Sequence, residues 1–185
     1  MRRLDVVRTY LALDDPARFR SGRQTAATER ARLVRHSPCP VDLYRRLYKE
    51  VGEQWYWHDR LEWSDEELAA HLAKPNVGLW EVRAGRDESA GYFELQRTPD
   101  GSVEIVYFGL ISRFFGQGLG GWLLERAVEF AWAMGARRVW LHTCTLDSPS
   151  ALPNYVARGF EPYKTERLEV ELDGQTVVGE RLLHD

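Results

Sequence analysis

Four glycines fall within six residues of the stretch FFGQGLGGWLL, at Gly116, Gly118, Gly120 and Gly121, directly ahead of a run with helical periodicity. A glycine-rich turn entering a helix presents backbone N–H groups that have no partner inside the helix, at the positive end of the helix dipole, and so suits phosphate. Gly116, Gly118 and Gly121 also satisfy the dinucleotide pattern G-x-G-x-x-G, which raises a nicotinamide- or flavin-dependent oxidoreductase as one reading. That chemistry calls for an acidic residue about 20 positions on and a series of further parallel strands. Here the next strand reads VWLHT, without a carboxylate, and fewer than 70 residues follow the turn. A turn in which glycine serves only backbone geometry is the plainer alternative. Elsewhere, His142 and Cys144 project to one side of a single strand in the manner of a ligand pair, but no further ligands stand at a readable spacing. A structural role for the pair, and no metal, is expected.

The elements that must position this turn can be read from periodicity. Leu4 to Leu13 and Ala31 to His36 have the texture of strands, and the polar stretch Asp14 to Arg30 between them reads as a mobile hairpin end or linker. Leu43, Leu47 and Val51 recur every four residues and predict a helix over Val41 to Val51. Ser64, with Glu67 three positions on, forms a capping box for a short helix that Pro75 stops. Three strand-like runs between Val77 and Ile111 predict an antiparallel meander. The glycine turn then opens a helix expected from about Gly121 to Met134, with Leu123, Leu124, Ala127, Phe130, Ala131 and Met134 on its core side. A strand, a short helix closed by Gly159 and a last hairpin around Asp173 and Gly174 complete the chain. Trp122 and Trp132 lie on the charged side of the long helix, which calls for cover by another element or by a second subunit in a homodimer.

At 185 residues the chain is expected to be a single domain, 1–185, of mixed α/β class: a mostly antiparallel sheet flanked by helices, with one β-α-β crossover carrying the glycine turn. A formal charge of −3 lacks the basic excess of a nucleic-acid or anionic-membrane partner, and neither is expected. Two cysteines and an N-terminus without a signal or membrane segment predict a reduced, cytoplasmic protein.

From about Ile105 to Phe160 the chain resembles the GCN5-related N-acetyltransferase (GNAT) superfamily. The superfamily motif Q/R-x-x-G-x-G/A running into a helix is similar to Phe115-x-x-Gly118-x-Gly120, with Phe115 where Gln or Arg is usual. The motif A-x-x-x-Y-x-x-x-G-F matches in full at Ala151, Tyr155, Gly159 and Phe160. The resemblance implies acetyl-CoA as co-substrate, with its diphosphate on the turn formed by Phe115, Gly116, Gln117, Gly118, Leu119, Gly120 and Gly121. Leu110 and Ile111, at the end of the preceding strand, and Ser148, before the last helix, would complete that site. It further implies direct transfer of the acetyl group to a primary amine, small molecule or peptide, with Tyr155 as the acid that meets the leaving thiolate. Glu104 is the first candidate for general base and Glu94 the second. Trp55 and Trp57, in the segment WYWHDRLEW, together with Glu94, would line the acceptor site, where Asp59 or Glu62 could attract a cation. An acyl-CoA-binding module without turnover is the alternative that keeps the same fold.

Overall fold

The computed structural model describes residues 1–174 and 176–183. Among the described residues eight strands form one sheet: β1 (Arg2–Leu13), β2 (Arg32–His36), β3 (Val77–Ala84), β4 (Glu88–Arg97), β5 (Val103–Leu110), β6 (Val139–Cys144), β7 (Glu161–Asp173) and β8 (Thr176–Leu183). Their order across the sheet is β2-β3-β4-β5-β6-β1-β7-β8. Five α-helices accompany them among the described residues: α1 (Ala26–Arg30), α2 (Val41–Gly52), α3 (Asp65–Leu72), α4 (Leu119–Ala133) and α5 (Ala151–Ala157).

The two-residue alternation of the strands sorts the layers. On β4, Tyr92 and Glu94 meet Tyr44 of α2 and His71 of α3. Phe93, between them, points the other way and stacks with Trp80 of β3, which in turn stacks on Phe130 of α4. Helices α2 and α3 therefore cover one face and α4 the other, as the expected mixed α/β architecture requires. The predicted capping box is present on α3, where Ser64 Oγ accepts from Glu67 N at 3.2 Å and Glu67 Oε2 accepts from Ser64 N at 2.8 Å. Among the described residues no helix is long and apolar enough to cross a membrane.

Three features of the sheet shape the site. The β5–β6 pair is parallel, and it holds register only at Val103 with Val139 and Glu104 with Trp140, after which the strands part. On β5, Glu94 opposes Tyr107 and Leu95 opposes Ile105, so Val106 is an unopposed bulge residue at the point of parting. Strand β1 is inserted between β6 and β7, pairing antiparallel with both. The sequence pattern shows that β1 is a strand but carries no sign of which strands it joins. The single parallel pair also removes the series of parallel strands that a dinucleotide-binding sheet would need.

The stretch Asp14 to Arg30, expected as a mobile end or linker, is built as a strap. A short 3₁₀ turn (Pro16–Arg18) and helix α1, capped by Thr25, run across the glycine turn. Thr25 Oγ1 donates to Gln117 O at 2.8 Å, Arg20 N donates to Arg158 O at 3.0 Å, and Arg158 Nη1 donates to Ser21 O at 3.2 Å. Gly22 passes so close to Gly121 that a Cβ on Gly22 would lie 3.1 Å from the Gly121 carbonyl carbon. These are isolated polar contacts to backbone carbonyls and one close glycine passage, which leave no apolar period to read. Trp122 and Trp132, the exposed aromatics of the helical projection, are partly buried against the main core of the same chain.

Candidate active site

The glycine turn is a short path from β5 into α4. Gly116 and Gly118 take left-handed backbone, φ 75° and 81°, where a side chain would be strained, and Gly118 is the cap from which α4 starts. The helix begins at Leu119, two residues earlier than the glycines suggested, because Gly120 and Gly121 occupy its first turn. Trp122 N is the first donor to close back, onto Gly118 O at 3.5 Å, so the amides of Leu119, Gly120 and Gly121 precede the helical ladder. A Cβ on Gly116 would meet nothing within 4 Å, which leaves that side of the turn open to a bulky anion.

A cleft of about 480 Å³ starts at this turn and runs through the gap between β5 and β6. Phe115, Gly116, Gly120 and Gly121 line one end; Ser148, Asn154 and Tyr155 flank the middle; and Leu110 and the rest of β5 back to Ile105 form the floor. Tyr155 is 7% exposed, with its ring edge-on to Phe108 at 6.1 Å and to Phe160 at 6.2 Å. Burial raises its phenol above the ordinary value, so it stays a proton donor at neutral pH. Trp55 and Trp57 lie on the cleft wall, as expected, with Trp57 packed on Tyr48 at 5.4 Å and Tyr107 at 5.0 Å. Asp59 shares that wall and accepts from Tyr107 Oη at 3.3 Å.

Other expected site residues are elsewhere. Ile111 is buried in the core and its amide donates to Ala90 O at 2.8 Å, which spends it on the sheet. Leu119 turns its side chain into the core, Gln117 presents its carbonyl to Thr25, and Gly118 backs onto Thr25. None of these four lines the cleft. Glu94 is fully buried beneath the wall, accepting from Tyr44 Oη and from His71 Nε2, both at 2.7 Å, with Arg60 Nη2 at 3.7 Å, so it braces α2 and α3 and cannot touch an acceptor.

Glu104 shares the face of β4 and β5 that carries Glu94 and Tyr107, but it too is outside the cleft wall. Burial, and then the nearby Glu94 charge, push its carboxyl up to about 7 against the opposing pull of Arg60. His142, two residues beyond the last β5–β6 pair and across the gap from the Val106 bulge, does line the cleft. His142 stands at the cleft beside Tyr10, ring centroids 5.6 Å apart. His142 keeps an exposed surface, yet the protein around it, followed by the Arg8 charge, draws its imidazole down from the ordinary value, which favours the neutral form. The one readable signal for His142 was its side of β6; that this side faces the gap depends on the parting of two strands.

A family model described as the acetyltransferase (GNAT) family matches residues 43–160, which span α2 through α5 and the whole glycine turn. The chain belongs to that family. Its fold is similar to a GCN5-related N-acetyltransferase from Kribbella flavida (TM-score 0.63, 18% identity, 90% of this chain and 58% of that one). It is also similar to one from Sphaerobacter thermophilus (TM-score 0.61, 16% identity, 93% of this chain and 54% of that one). An aminoglycoside acetyltransferase from an uncultured soil metagenomic sample, solved with trehalose, aligns at TM-score 0.59 and 14% identity over 70% of this chain and 88% of that one. At these identities the likeness is one of fold, and the chain spans little more than half the length of the first two. No curated protein matches it.

Proposed function

We propose that the chain is an acyl-CoA-dependent N-acetyltransferase, taking the acetyl group from acetyl-CoA directly onto a primary amine. The observation that carries this reading is the single cleft joining the α4 N-terminus, the gap between β5 and β6, and Tyr155. The residues present fit acetyl-CoA. The amides of Leu119 to Gly121 suit its diphosphate, and the open side of Gly116 leaves room for that group. Beyond Glu104 the edge of β5 that faces β6 has no strand partner among the described residues, and an extended pantetheine arm can bond there as an added strand would.

Direct transfer forms a C–N bond to the amine and breaks the C–S bond of the thioester. His142 takes one proton from the bound ammonium to give the attacking amine and passes it to solvent; Tyr155 gives its proton to the departing thiolate, and the proton the nitrogen loses after attack restores the phenol, so one proton is released per transfer. Asp59, with the aromatic rings of Trp57 and Tyr107 beside it, attracts the acceptor as an ammonium before it is deprotonated. No covalent enzyme intermediate is required, and Cys144, whose thiol burial pushes up to about 11, is a poor nucleophile at neutral pH.

The test is release of free thiol from acetyl-CoA in the presence of a panel of amines, run beside thermal shifts with CoA and with NAD. Amine-dependent thiol release with stabilisation by CoA alone is the expected result. Stabilisation by CoA without release from any amine would make the chain a binding module, and stabilisation by NAD alone would reverse the reading of the glycine turn.

A further inference from the structure

The cleft divides into two halves of different origin. Every residue at its coenzyme end lies inside the stretch 43–160 that matches the family model, whereas its far wall is built from strands outside that stretch. Val6 on β1, Leu168 and Val170 on β7, and Val177 on β8 form that wall, 2%, 2%, 3% and 4% exposed, and they make an apolar cluster separate from the main core. The insertion of β1 between β6 and β7 is what brings them to the cleft, since Val6 opposes Leu168 across the β1–β7 pair. Tyr56 packs on the same cluster from a left-handed backbone, φ 59°, a conformation that a tyrosine holds only under constraint from its surroundings.

The charges around this pocket are as informative as its apolar wall. Arg8 is the sole lysine or arginine among the described residues of the cleft, and its Nη2 bonds both carboxylate oxygens of Glu180, at 2.8 and 3.0 Å. Its Nε has no hydrogen-bond partner among the described residues, but it is shut off from solvent and so presents no donor to the cleft. An incoming carboxylate would have to displace Glu180, while Asp59 and Asp147 on the same cleft repel it. Asp147 is itself occupied, accepting from Thr143 Oγ1 at 2.6 Å and from Cys144 N at 2.9 Å, whereas Asp59, met by Tyr107 Oη at 3.3 Å and His58 Nε2 at 3.2 Å, keeps a side chain 63% exposed and is the carboxylate open to an ammonium.

Building on the acetyltransferase reading, we infer that the acceptor is a primary amine carrying a compact apolar group, alkyl or arylalkyl, and no anionic group, with that group lodged against Val6, Leu168, Val170, Val177 and Tyr56. Polyamines and aminoglycosides lack the apolar surface this wall rewards, and free amino acids bring a carboxylate it does not receive.

The experiment follows thiol release from acetyl-CoA with propyl-, butyl- and pentylamine and 2-phenylethylamine, against phenylalanine, spermidine and a lysine peptide. In the alkyl series kcat/KM should rise about fourfold per methylene, the ratio that about 0.8 kcal/mol per buried CH₂ produces, until the pocket is full. 2-Phenylethylamine should exceed phenylalanine and spermidine by at least about tenfold. Tyr56→Ala, on a loop outside both sheet and helices, should raise KM for the apolar amines about tenfold while the CoA-induced thermal shift is retained. A flat alkyl series, or a preference for spermidine, the peptide or phenylalanine, would overturn the inference and leave acetyl transfer standing. Absence of both CoA stabilisation and thiol release with every amine would bring down the two together.

Discussion

Tyr155 meets the cleft as a fixed ring with a free role for its hydroxyl, because Phe108 and Phe160 clamp it edge-on from two sides. Tyr155→Phe keeps that packing and removes only the donor, so kcat should fall about 10²-fold or more with CoA affinity unchanged, measured by thiol release and by calorimetric titration of CoA. His142 must be neutral to accept a proton, so kcat/KM should rise with pH through a value below the ordinary histidine range, and His142→Gln should abolish that limb. Glu104 makes a different prediction. Its carboxyl titrates near 7 in the folded chain and near 4.5 when unfolded, so the native state holds the extra proton between those values. The stability this contributes is fully present below about pH 4.5 and is lost as pH rises through 7, an amount on the order of 3 kcal/mol. Glu104→Gln, which cannot ionise, should therefore be more stable than the parent at pH 8 and not at pH 4, by urea denaturation at each pH. Glu94 is a brace: Glu94→Ala strands Tyr44, His71 and Arg60 in the interior and should cost about 3–5 kcal/mol by the same measurement. All four residues stand out in the sequence by type, but an acid or histidine on an alternating strand shows only which side it takes, not whether that side is core, wall or solvent.

The glycine turn is the element where sequence and structure agree on identity and differ on cause. Gly118 suggested a position kept clear for phosphate, yet a Cβ there would lie 2.8 Å from Thr25 Cγ2, and its φ of 81° already excludes most side chains. Its glycine serves the seat of the strap. Gly118→Val should cost at least about 1–2 kcal/mol, the penalty for a left-handed residue, and should loosen the strap, seen as faster amide hydrogen exchange across Thr25 to Arg30. Protection of those amides equal to the parent's would show that the strap does not depend on this contact. The strap was illegible for a physical reason. Its hold on the turn comes from one threonine hydroxyl, two arginine contacts and the close passage of Gly22, none of which leaves a periodic trace. The capping box of α3 was legible because its two partners are three residues apart and need nothing distant.

At the scale of the whole molecule, coenzyme binding should couple to folding, since the turn, the strap and both sides of the gap between β5 and β6 meet only in the native chain. CoA at 100 times its Kd should add about 2.7 kcal/mol, a rise in Tm of roughly 5–10 °C for a domain of this size, and NAD should give none. By itself the sequence determined the strands, the helices other than α1, the class of sheet, the glycine turn and the motif around Tyr155, because each rests on periodicity or on residues a few positions apart. Only the tertiary structure decided that β1 lies between β6 and β7, that β5 and β6 part after Glu104, and that His142 rather than Glu104 or Glu94 faces the cleft. Those outcomes follow from pairing between strands distant in the chain, across α4 where Glu104 opposes Trp140 and across most of the molecule where Arg8 opposes Cys144, and local pattern carries no record of which distant edge a strand will join.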